Sequence, residues 1–252
     1  MAASELHLVE LFHLSVLRLL PDKAHVALKG GCNMRFFFGS VRYSHDMDLD
    51  IGRRVEPHAL RERMTRLLAG PALSAALAAE GVELGAVSAP KQTETTQRWK
   101  AELVVRARRS ISLHTKIEFS RRPTTEEALL EAVDPAIVGA HRLLPVLVRH
   151  YPLETALRQK VRALVGRATV QARDVFDLAV LLTRAGGRLD ALRADRATLP
   201  QAIERALDVS FDDYRGQVVA YLHPDHAEQY GSRDAWNALQ MQLVSALEKA
   251  AQ

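Results

Sequence analysis

One six-residue stretch, DMDLDI at residues 46–51, limits what this chain can fold into more than any other. Side chains of a strand alternate between two faces, so the stretch predicts a half-buried strand with Asp46, Asp48 and Asp50 together on the polar face. Three carboxylates side by side are unfavourable unless a cation lies among them, and Mg²⁺ prefers carboxylates together with substrate phosphates. The stretch therefore predicts a metal-dependent phosphoryl or nucleotidyl transfer site; the alternative is a solvated acidic edge strand.

A glycine turn precedes this strand and favours a phosphate-containing substrate. Residues 25–28 predict a short strand, residues 32–38 a short helix, and two glycines join them. Glycine is suited to a turn where the backbone approaches a ligand closely, and backbone N–H groups at a helix start bind phosphate oxygens. Lys29 could equally be a surface lysine, and Ser44 could cap the strand entry instead of contacting phosphate. The candidate phosphate-binding residues are Lys29, Gly30, Gly31, Arg35 and Ser44.

A predicted hairpin supplies a third carboxylate. Apolar and polar residues alternate through 98–107 and again through 110–119, with a tight turn at Arg108-Arg109 between them, which predicts two antiparallel strands. Glu118 lies on the polar face of the second strand. If that strand pairs beside residues 46–51, Glu118 can join the aspartates at one metal site. The alternative is a cross-strand ion pair with one of three basic residues, Lys100, Arg106 or Lys116.

The rest of the pattern predicts an α+β protein with two parts. Residues 5–20 and 56–79 predict helices, the second broken at Gly70-Pro71, and residues 82–87 predict a strand. From Thr124 nearly to the end the pattern is helical. We therefore predict a domain at 1–125 with a mixed sheet and helices, and a helical subdomain at 126–252. Its clearest helical segments are residues 153–167, 173–184, 199–207, 211–222 and 233–250.

Two aspartates in the helical half need partners. Asp174 and Asp177 are three residues apart on one predicted helix, so they share a face, and apolar residues flank both. A carboxylate next to a core-facing stripe must be paired, and Lys160 or Arg167 on the preceding helix could pair with them. This pattern is typical of a buried structural ion pair between helices, or of a second set of active-site residues.

Composition excludes several classes of protein. The 252 residues contain no apolar run of about 18 residues, so we expect no membrane span, and the N-terminus does not resemble a secretory signal. The single cysteine, Cys32, excludes an internal disulfide and fits a reducing cytoplasm. Its local sequence offers no histidine or aspartate base, so we expect a small buried residue behind the turn. A net charge of +4 is compatible with a nucleic-acid partner but does not identify one.

Taken together, these motifs resemble the AbiEii-type nucleotidyltransferase toxins of type IV toxin–antitoxin and abortive-infection systems. The resemblance begins with LKGG at residues 28–31, continues through Arg35 and SHDMD at residues 44–48, and includes the strand around Glu118 and the segment from Lys160 to Asp177. It covers roughly residues 5–185 of the chain. Each motif alone is weak, whereas their combination and order are specific.

The resemblance implies a DNA polymerase β-like nucleotidyltransferase core followed by a helical half. It implies Mg²⁺ (or Mn²⁺), an NTP as the donor, transfer of a nucleoside monophosphate to RNA at the 3′ end of tRNA, and an antitoxin encoded nearby. Asp46 and Asp48 would hold the metal, with Glu118 as a third carboxylate ligand. Lys160 would contact the nucleotide phosphates, and Asp174 would act near the metal or as a base.

The sequence departs from the family pattern at two positions, and two alternative functions are compatible with it. Cys32 stands where the family has a threonine, so a thiol replaces a hydroxyl that could contact phosphate, and Asp50 is an additional carboxylate. The alternative functions are the same transfer to a small-molecule or protein hydroxyl, and a non-catalytic member that binds nucleotide or RNA.

Overall fold

The computed structural model describes residues 5–20, 23–106, 111–121 and 127–252. The chain divides into two compact units. The first comprises Met1–Phe37 and Tyr43–Tyr151, and the second comprises Phe38–Arg42 and Pro152–Gln252. The described residues include no helix that is both long and apolar enough to cross a membrane.

The first unit is built on a mixed sheet, which confirms the predicted fold class. The strands are β1 (Val26–Lys29), β2 (Asp46–Ile51), β3 (Val82–Gln92), β4 (Thr96–Val105), β5 (Ile111–Ser120), β6 (Leu129–Ala132) and β7 (Leu147–His150). Among the described residues the strand order is β3-β4-β5-β2-β1-β7-β6. Strand β2 pairs in parallel with β5, and β1 pairs in parallel with β7, whereas the other neighbours are antiparallel.

Helices cover the apolar face of this sheet. The helices are α1 (Glu5–Leu19), α2 (Gly30–Phe37), α3 (Pro57–Leu68), α4 (Pro71–Ala78) and α5 (Pro135–Ala140). Helix α1 is buried along almost its whole length because it lies in the core, where it contacts α3, α4, β5 and β7. The predicted break at Gly70-Pro71 is confirmed, since α3 and α4 both begin at a proline, which tolerates the first helical position because its missing N–H has no partner there.

The predicted hairpin is confirmed as β4 and β5. Trp99 pairs with Ile117 on the core face and Arg98 with Glu118 on the polar face. The predicted turn at Arg108-Arg109 lies outside the described residues. Strand β3 extends five residues beyond the predicted 82–87; that extension, on the edge of the sheet, is mostly exposed, so its sequence lacks the alternation that marks a half-buried strand.

The expectation of helix from Thr124 onward is wrong for two strands. Strands β6 and β7 each have four residues and form an antiparallel pair at the sheet edge. Such short segments show too few alternations to be distinguished from helix, and pairing with the rest of the sheet decides their conformation. The structural division accordingly falls between Tyr151 and Pro152, whereas the sequence placed the boundary at 125/126, a position outside the described residues.

The second unit is helical, as expected. The helices are α6 (Leu153–Gly166), α7 (Ala172–Ala185), α8 (Leu199–Leu207), α9 (Phe211–Gln217), α10 (Pro224–Tyr230) and α11 (Arg233–Ala251). Serine side chains cap two of them, Ser210 at the start of α9 and Ser232 at the start of α11, each accepting a hydrogen bond from an N–H that has no partner within the helix. The predicted segment 211–222 is α9 followed by a short 3₁₀ turn.

Candidate active site

Strand β2 presents the three predicted aspartates on one face. Burial alternates along the strand, with Met47, Leu49 and Ile51 in the core and the aspartates partly buried on the opposite side. The apolar residues fix the register, because a shift by one residue would move all three carboxylates into the core. The local sequence alone therefore places Asp46, Asp48 and Asp50 together.

The parallel pairing of β2 with β5 brings further charged residues to this face. Asp48 lies opposite Glu118, and Asp46 lies opposite Lys116. The predicted alignment of Glu118 with the aspartates is thus confirmed as strand geometry. Glu118 also forms an ion pair with Arg98 at 2.6 Å, so the cross-strand partner exists but is none of the three basic residues considered from sequence.

Asp46 is held by two cationic or polar neighbours. Lys116 Nζ lies 2.8 Å from one carboxylate oxygen, and His45 Nδ1 lies 3.0 Å from the other. Burial works to raise the pKa of Asp46, but the hydrogen bonds from His45 and Lys116 outweigh it and lower that pKa to about 2. Lys116 was not predicted as part of the site, although its position two residues before Glu118 on the polar face of β5 was the available signal.

Asp48 has no hydrogen bond or ion pair with another described residue. Burial raises its pKa, with Lys116 and Lys29 acting in the opposite direction. Gly30, the first residue of α2, has a φ of +67°, and a Cβ there would lie 3.0 Å from Asp48 Oδ2. The glycine is required both for its backbone conformation and because the main chain passes so close to this carboxylate.

The donor set fits a divalent cation. Asp48 is a partly buried carboxylate without a described partner, which is costly unless a cation or donor satisfies it, and Asp46 and Glu118 supply further hard oxygen donors beside it. In the described structure, however, the oxygens of these three carboxylates do not all lie within 4.8 Å of one another. Lys116 and Arg98 hold Asp46 and Glu118, so both side chains would have to turn toward Asp48 to ligate one ion.

Three possible metal ligands do lie close together elsewhere in the first unit. The partly buried His7 and the buried Glu10 and His141 offer ligand atoms within 4.8 Å of one another. The two imidazoles are stacked, with ring centroids 3.8 Å apart and an angle of 15° between the planes, so their in-plane lone pairs do not converge on one point. Glu10 also binds Arg35 through Nε at 2.8 Å and Nη2 at 3.3 Å. The geometry is that of a buried structural ion pair.

Asp50 is engaged in the structure of the first unit. It forms an ion pair with Lys29 and accepts a hydrogen bond from the Tyr151 hydroxyl at 2.8 Å. The two partners give its carboxylate a structural role, although its position on the strand makes it equivalent to Asp46 and Asp48. Lys29, a predicted phosphate ligand, is correspondingly paired with Asp50.

The remaining candidate phosphate ligands also have partners. The Ser44 hydroxyl donates to the Asp46 carbonyl at 2.7 Å and so caps the strand entry. Arg35 binds Glu10 and stacks over the Tyr43 ring at 4.4 Å. Gly31 follows Gly30 in the first turn of α2. Phosphate contact by these residues and by Lys29 stays a prediction.

In the second unit, Lys160 and the two predicted aspartates form a buried network. Lys160 Nζ lies 3.0 Å from Asp174 and 2.6 Å from Asp177, and Arg167 Nε lies 2.6 Å from Asp174. Arg42 donates to both oxygens of Asp177, at 3.1 and 2.9 Å. Sequence reasoning named Lys160 and Arg167 as partners but missed Arg42, because it lies 135 residues from Asp177.

Charge pairing within this network outweighs burial. Burial works to raise the pKa of Asp177, but Arg42 and Lys160 lower it. Burial likewise works to lower the pKa of Lys160, but Asp177 and Asp174 raise it. These side chains are therefore ionised near neutral pH. The predicted roles of Lys160 and Asp174 at the nucleotide stay predictions, since the pairs account for both residues within the second unit.

Cys32 is buried behind the glycine turn, as expected, but it does have a histidine neighbour. Its Sγ lies 3.6 Å from His13 Nδ1 and 3.4 Å from the Asp46 carbonyl oxygen. His13 is on α1, nineteen residues earlier in sequence, and its burial lowers its pKa to about 4. No local pattern indicated this contact, because α1 reads as an ordinary apolar helix.

Comparison with known proteins identifies the family. The profile described as "Nucleotidyl transferase AbiEii toxin, Type IV TA system" matches residues 14–251. No curated protein matches the chain. A crystal structure of a candidate nucleotidyltransferase from H. pylori is similar, with a TM-score of 0.68 and 19% identity over 99% of this chain and 96% of that one. MenT4, a nucleotidyltransferase toxin from Mycobacterium tuberculosis, has a TM-score of 0.62 and 18% identity over 96% of this chain and 83% of its own.

The two structural likenesses show a shared fold, and the profile, which spans nearly the whole chain, shows the family. The match reaches well beyond the residues that carried the resemblance, because it includes the helical segments after 185. This chain belongs to the AbiEii family of nucleotidyltransferase toxins from type IV toxin–antitoxin systems.

Proposed function

We propose that this nucleotidyltransferase transfers a nucleoside monophosphate from an NTP to RNA, at the 3′ end of tRNA, and thereby stops translation and growth. The family supplies the reaction class and the toxin activity. The observation that supports the site is the carboxylate of Asp48, which has no partner among the described residues. Asp48 lies directly opposite Glu118 and on the same face as Asp46. The choice of tRNA as acceptor is supported by the family resemblance alone.

Asp46 and Asp48 would hold Mg²⁺ or Mn²⁺, with Glu118 as a third carboxylate. When bound, the ion supplies positive charge that stabilises the negative charge on the transferring phosphoryl group. Lys116 and Arg98 now pair with Asp46 and Glu118. Once those carboxylates turn to the ion, both cations become available to offset triphosphate charge.

The glycine turn would admit the triphosphate. Gly30 removes a Cβ that would crowd Asp48, and the first N–H groups of α2, beginning at Gly31, have no partners within the helix. Lys29, Arg35 and Ser44 would support this turn through the contacts they make to Asp50, Glu10 and the Asp46 carbonyl. Of these three, Lys29 would reach the phosphates if Asp50 released it.

For Lys160 and Asp174 we propose a contribution to transfer that rests on the family resemblance. Their ion pairs also stabilise the second unit, so loss of activity on mutation would not by itself separate the two roles. Lys160→Arg keeps the charge, whereas Lys160→Met removes it. If Lys160 contacts phosphate, both variants lose transfer activity, because the longer arginine cannot reproduce the position of the ammonium group. A purely structural role predicts that any loss of activity in Lys160→Arg is matched by a lower Tm, whereas phosphate contact predicts loss of activity at an unchanged Tm.

The test of the proposed function is a transfer assay with labelled nucleotides. Each of the four NTPs, with Mg²⁺ or Mn²⁺, is incubated with the protein and purified tRNA, a mixture of small-molecule acceptors, or lysate protein. We expect label in tRNA and loss of at least about 100-fold with Asp48→Asn, the size of effect seen when one charge-stabilising group is removed. Asp50→Asn, on the same face of β2, is the matched control.

Three results would decide against parts of the proposal. Label found only in protein or small molecules would exclude tRNA as the acceptor. Full activity of Asp48→Asn would exclude the metal site. Nucleotide binding without turnover on any acceptor would favour a non-catalytic member.

The type IV family implies an antitoxin partner. We propose that a neighbouring gene encodes it and that the protein acts in the cytoplasm, where NTPs and tRNA are found. Expression of this chain alone should arrest growth, and co-expression of the neighbouring gene should restore it. A growth arrest that also occurs with Asp48→Asn would indicate toxicity unrelated to transfer.

A further inference from the structure

In the part of the chain that the structure describes, the beginning of β2, where Asp46 lies, pairs with a neighbouring strand on one side only. The pairing of β2 with β1 starts at Asp48, opposite Lys29, because β1 ends there and the chain turns into α2. The pairing with β5 starts two residues earlier, with Asp46 opposite Lys116. Asp46 and the preceding His45 therefore lie beyond the end of β1, where a strand end would fray without other support.

Buried side chains on the core side provide that support. The Thr115 hydroxyl on β5 donates to the His45 carbonyl at 2.7 Å, and His13 Nε2 on α1 lies 2.8 Å from the same hydroxyl oxygen. Thr115 is 3% exposed and His13 is 1% exposed. Cys32 on α2 contacts both His13 and the Asp46 carbonyl. Side chains from three elements thus meet at the peptide groups on either side of Asp46.

The number of protons on these side chains determines which atom donates and which accepts in each hydrogen bond. Thr115 has one hydroxyl proton and gives it to His45, so its oxygen must accept from His13, which places the His13 proton on Nε2. His13 Nδ1 is then an acceptor facing the Cys32 thiol. The one proton of that thiol has two acceptors within reach, His13 Nδ1 and the Asp46 carbonyl oxygen. The sequence of donors runs from α1 through β5 to the main chain next to Asp46.

Valine in place of Thr115 and leucine in place of His13 would fill the core without the cost of burying polar groups. The hydrogen bonds from His13 and Thr115 end at the part of β2 that does not pair with β1. We infer that His13, acting through Thr115, is a positioning residue that fixes the main chain at His45 and so sets the position of the Asp46 carboxylate. The inference rests on the proposed function, in which Asp46 is a metal ligand.

The experiment compares variants that remove the hydroxyl or imidazole with variants that keep the hydrogen bond. Thr115→Val and His13→Leu remove it, whereas Thr115→Ser and His13→Gln keep a donor or acceptor in place. Ile117→Val is the matched control, because Ile117 is 1% exposed on the same face of β5 and loses only a methylene group. The measurements are kcat, KM for NTP, and Mn²⁺ affinity by electron paramagnetic resonance.

We expect Thr115→Val and His13→Leu to weaken Mn²⁺ binding and lower kcat by about 10–100-fold, the effect typical of residues that orient a metal ligand. KM for NTP should change little. Thr115→Ser, His13→Gln and Ile117→Val should stay within about 3-fold of the wild type for both quantities, a small part of the effect expected above. If Thr115→Val does not fold, His13→Leu with its His13→Gln partner carries the comparison.

Two outcomes would overturn the inference while leaving the proposed function standing. One is Mn²⁺ affinity and kcat of Thr115→Val and His13→Leu close to wild type while Asp46→Asn is inactive. The other is an equal loss in Ile117→Val, which would show a general response to core changes. A wild type that binds no Mn²⁺ and transfers no nucleotide would instead refute the proposed function itself.

Discussion

The buried charge network of the second unit gives the sharpest prediction of stability. Asp177 is fully buried and accepts hydrogen bonds from Arg42, at distances of 2.9 to 3.3 Å, and from Lys160 at 2.6 Å. Asp177→Asn keeps almost the same shape but removes the charge. Asp174, which pairs with Lys160 and Arg167, would then be the one carboxylate left in the network as described.

The expected cost follows from this geometry. Removing one partner of a buried ion pair typically destabilises by about 3–5 kcal/mol, because the remaining charges stay buried without compensation. For a chain of this length 1 kcal/mol corresponds to about 2–4 °C in Tm, so Asp177→Asn should lower Tm by roughly 6–20 °C. Asp190→Asn is the control, since its ion pair with Arg193 is 77% and 80% exposed and should contribute about 0–1 kcal/mol.

The assay must report on the second unit alone, because a chain with two units need not unfold in one step. Trp236 is 2% exposed in α11, and the other of the two tryptophans is Trp99 in the first unit. Urea and thermal unfolding followed by Trp236 fluorescence in a Trp99→Phe background therefore isolate the transition. A midpoint for Asp177→Asn equal to that of Asp190→Asn would refute the reasoning.

The same variant makes a prediction about pH. The folded-state pKa of Asp177 is lowered, so it lies below the unfolded value of about 3.9. The stabilisation by ionised Asp177 is present above that value and is lost as pH falls through the folded pKa. The stability difference between wild type and Asp177→Asn should therefore be constant near neutral pH and shrink below about pH 4. A difference that does not change on acidification would contradict the assignment of charge.

Three further changes test other parts of the structure. Gly30→Ala should abolish transfer and cost about 1–2 kcal/mol of stability. Gly81→Ala, at φ +70° and with no described atom within 4 Å of the added Cβ, should cost stability but keep activity; equal transfer activities of the two variants would exclude crowding of Asp48. Asp50→Asn should keep at least about a tenth of wild-type kcat, which corresponds to a rise of no more than about 1.4 kcal/mol in the activation free energy. A variant that is folded but inactive would place Asp50 in the active site. The pKa of Lys160 is raised, so the stabilisation by its charged form is present below about pH 10.5 and is lost as pH rises further. The difference in unfolding free energy between wild type and Lys160→Met, measured by urea unfolding, should therefore shrink above that pH and stay constant near pH 7.

Local sequence was sufficient where burial imposes a regular period. Strand β2 and the β4–β5 hairpin alternate with period two because one face meets the core, and α1, α6 and α7 carry apolar residues at helical spacing. The grouping of Asp46, Asp48 and Asp50 on one face follows from that period alone. The alignment of Glu118 with Asp48 depends in addition on the parallel pairing and the register of β2 and β5, which only the folded sheet sets.

Short and long-range features were not predictable in this way. Strands β6 and β7 are too short to show a period, and the rest of the sheet sets their conformation. The pairing of Arg42 with Asp177 joins residues 135 positions apart. Neither residue type nor spacing indicates such a contact, because it exists only once the chain has packed.

The sequence by itself determined which residue types share the face of β2, and the glycine turn before that strand pointed to a substrate with phosphates. Tertiary structure decided which of the equivalent carboxylates is available. Lys29 and Tyr151 engage Asp50, Lys116 and His45 hold Asp46, and Asp48 is left without a described partner. Periodicity fixes the direction of a side chain, but the charges that meet it come from other parts of the chain, and they set its pairing and its pKa.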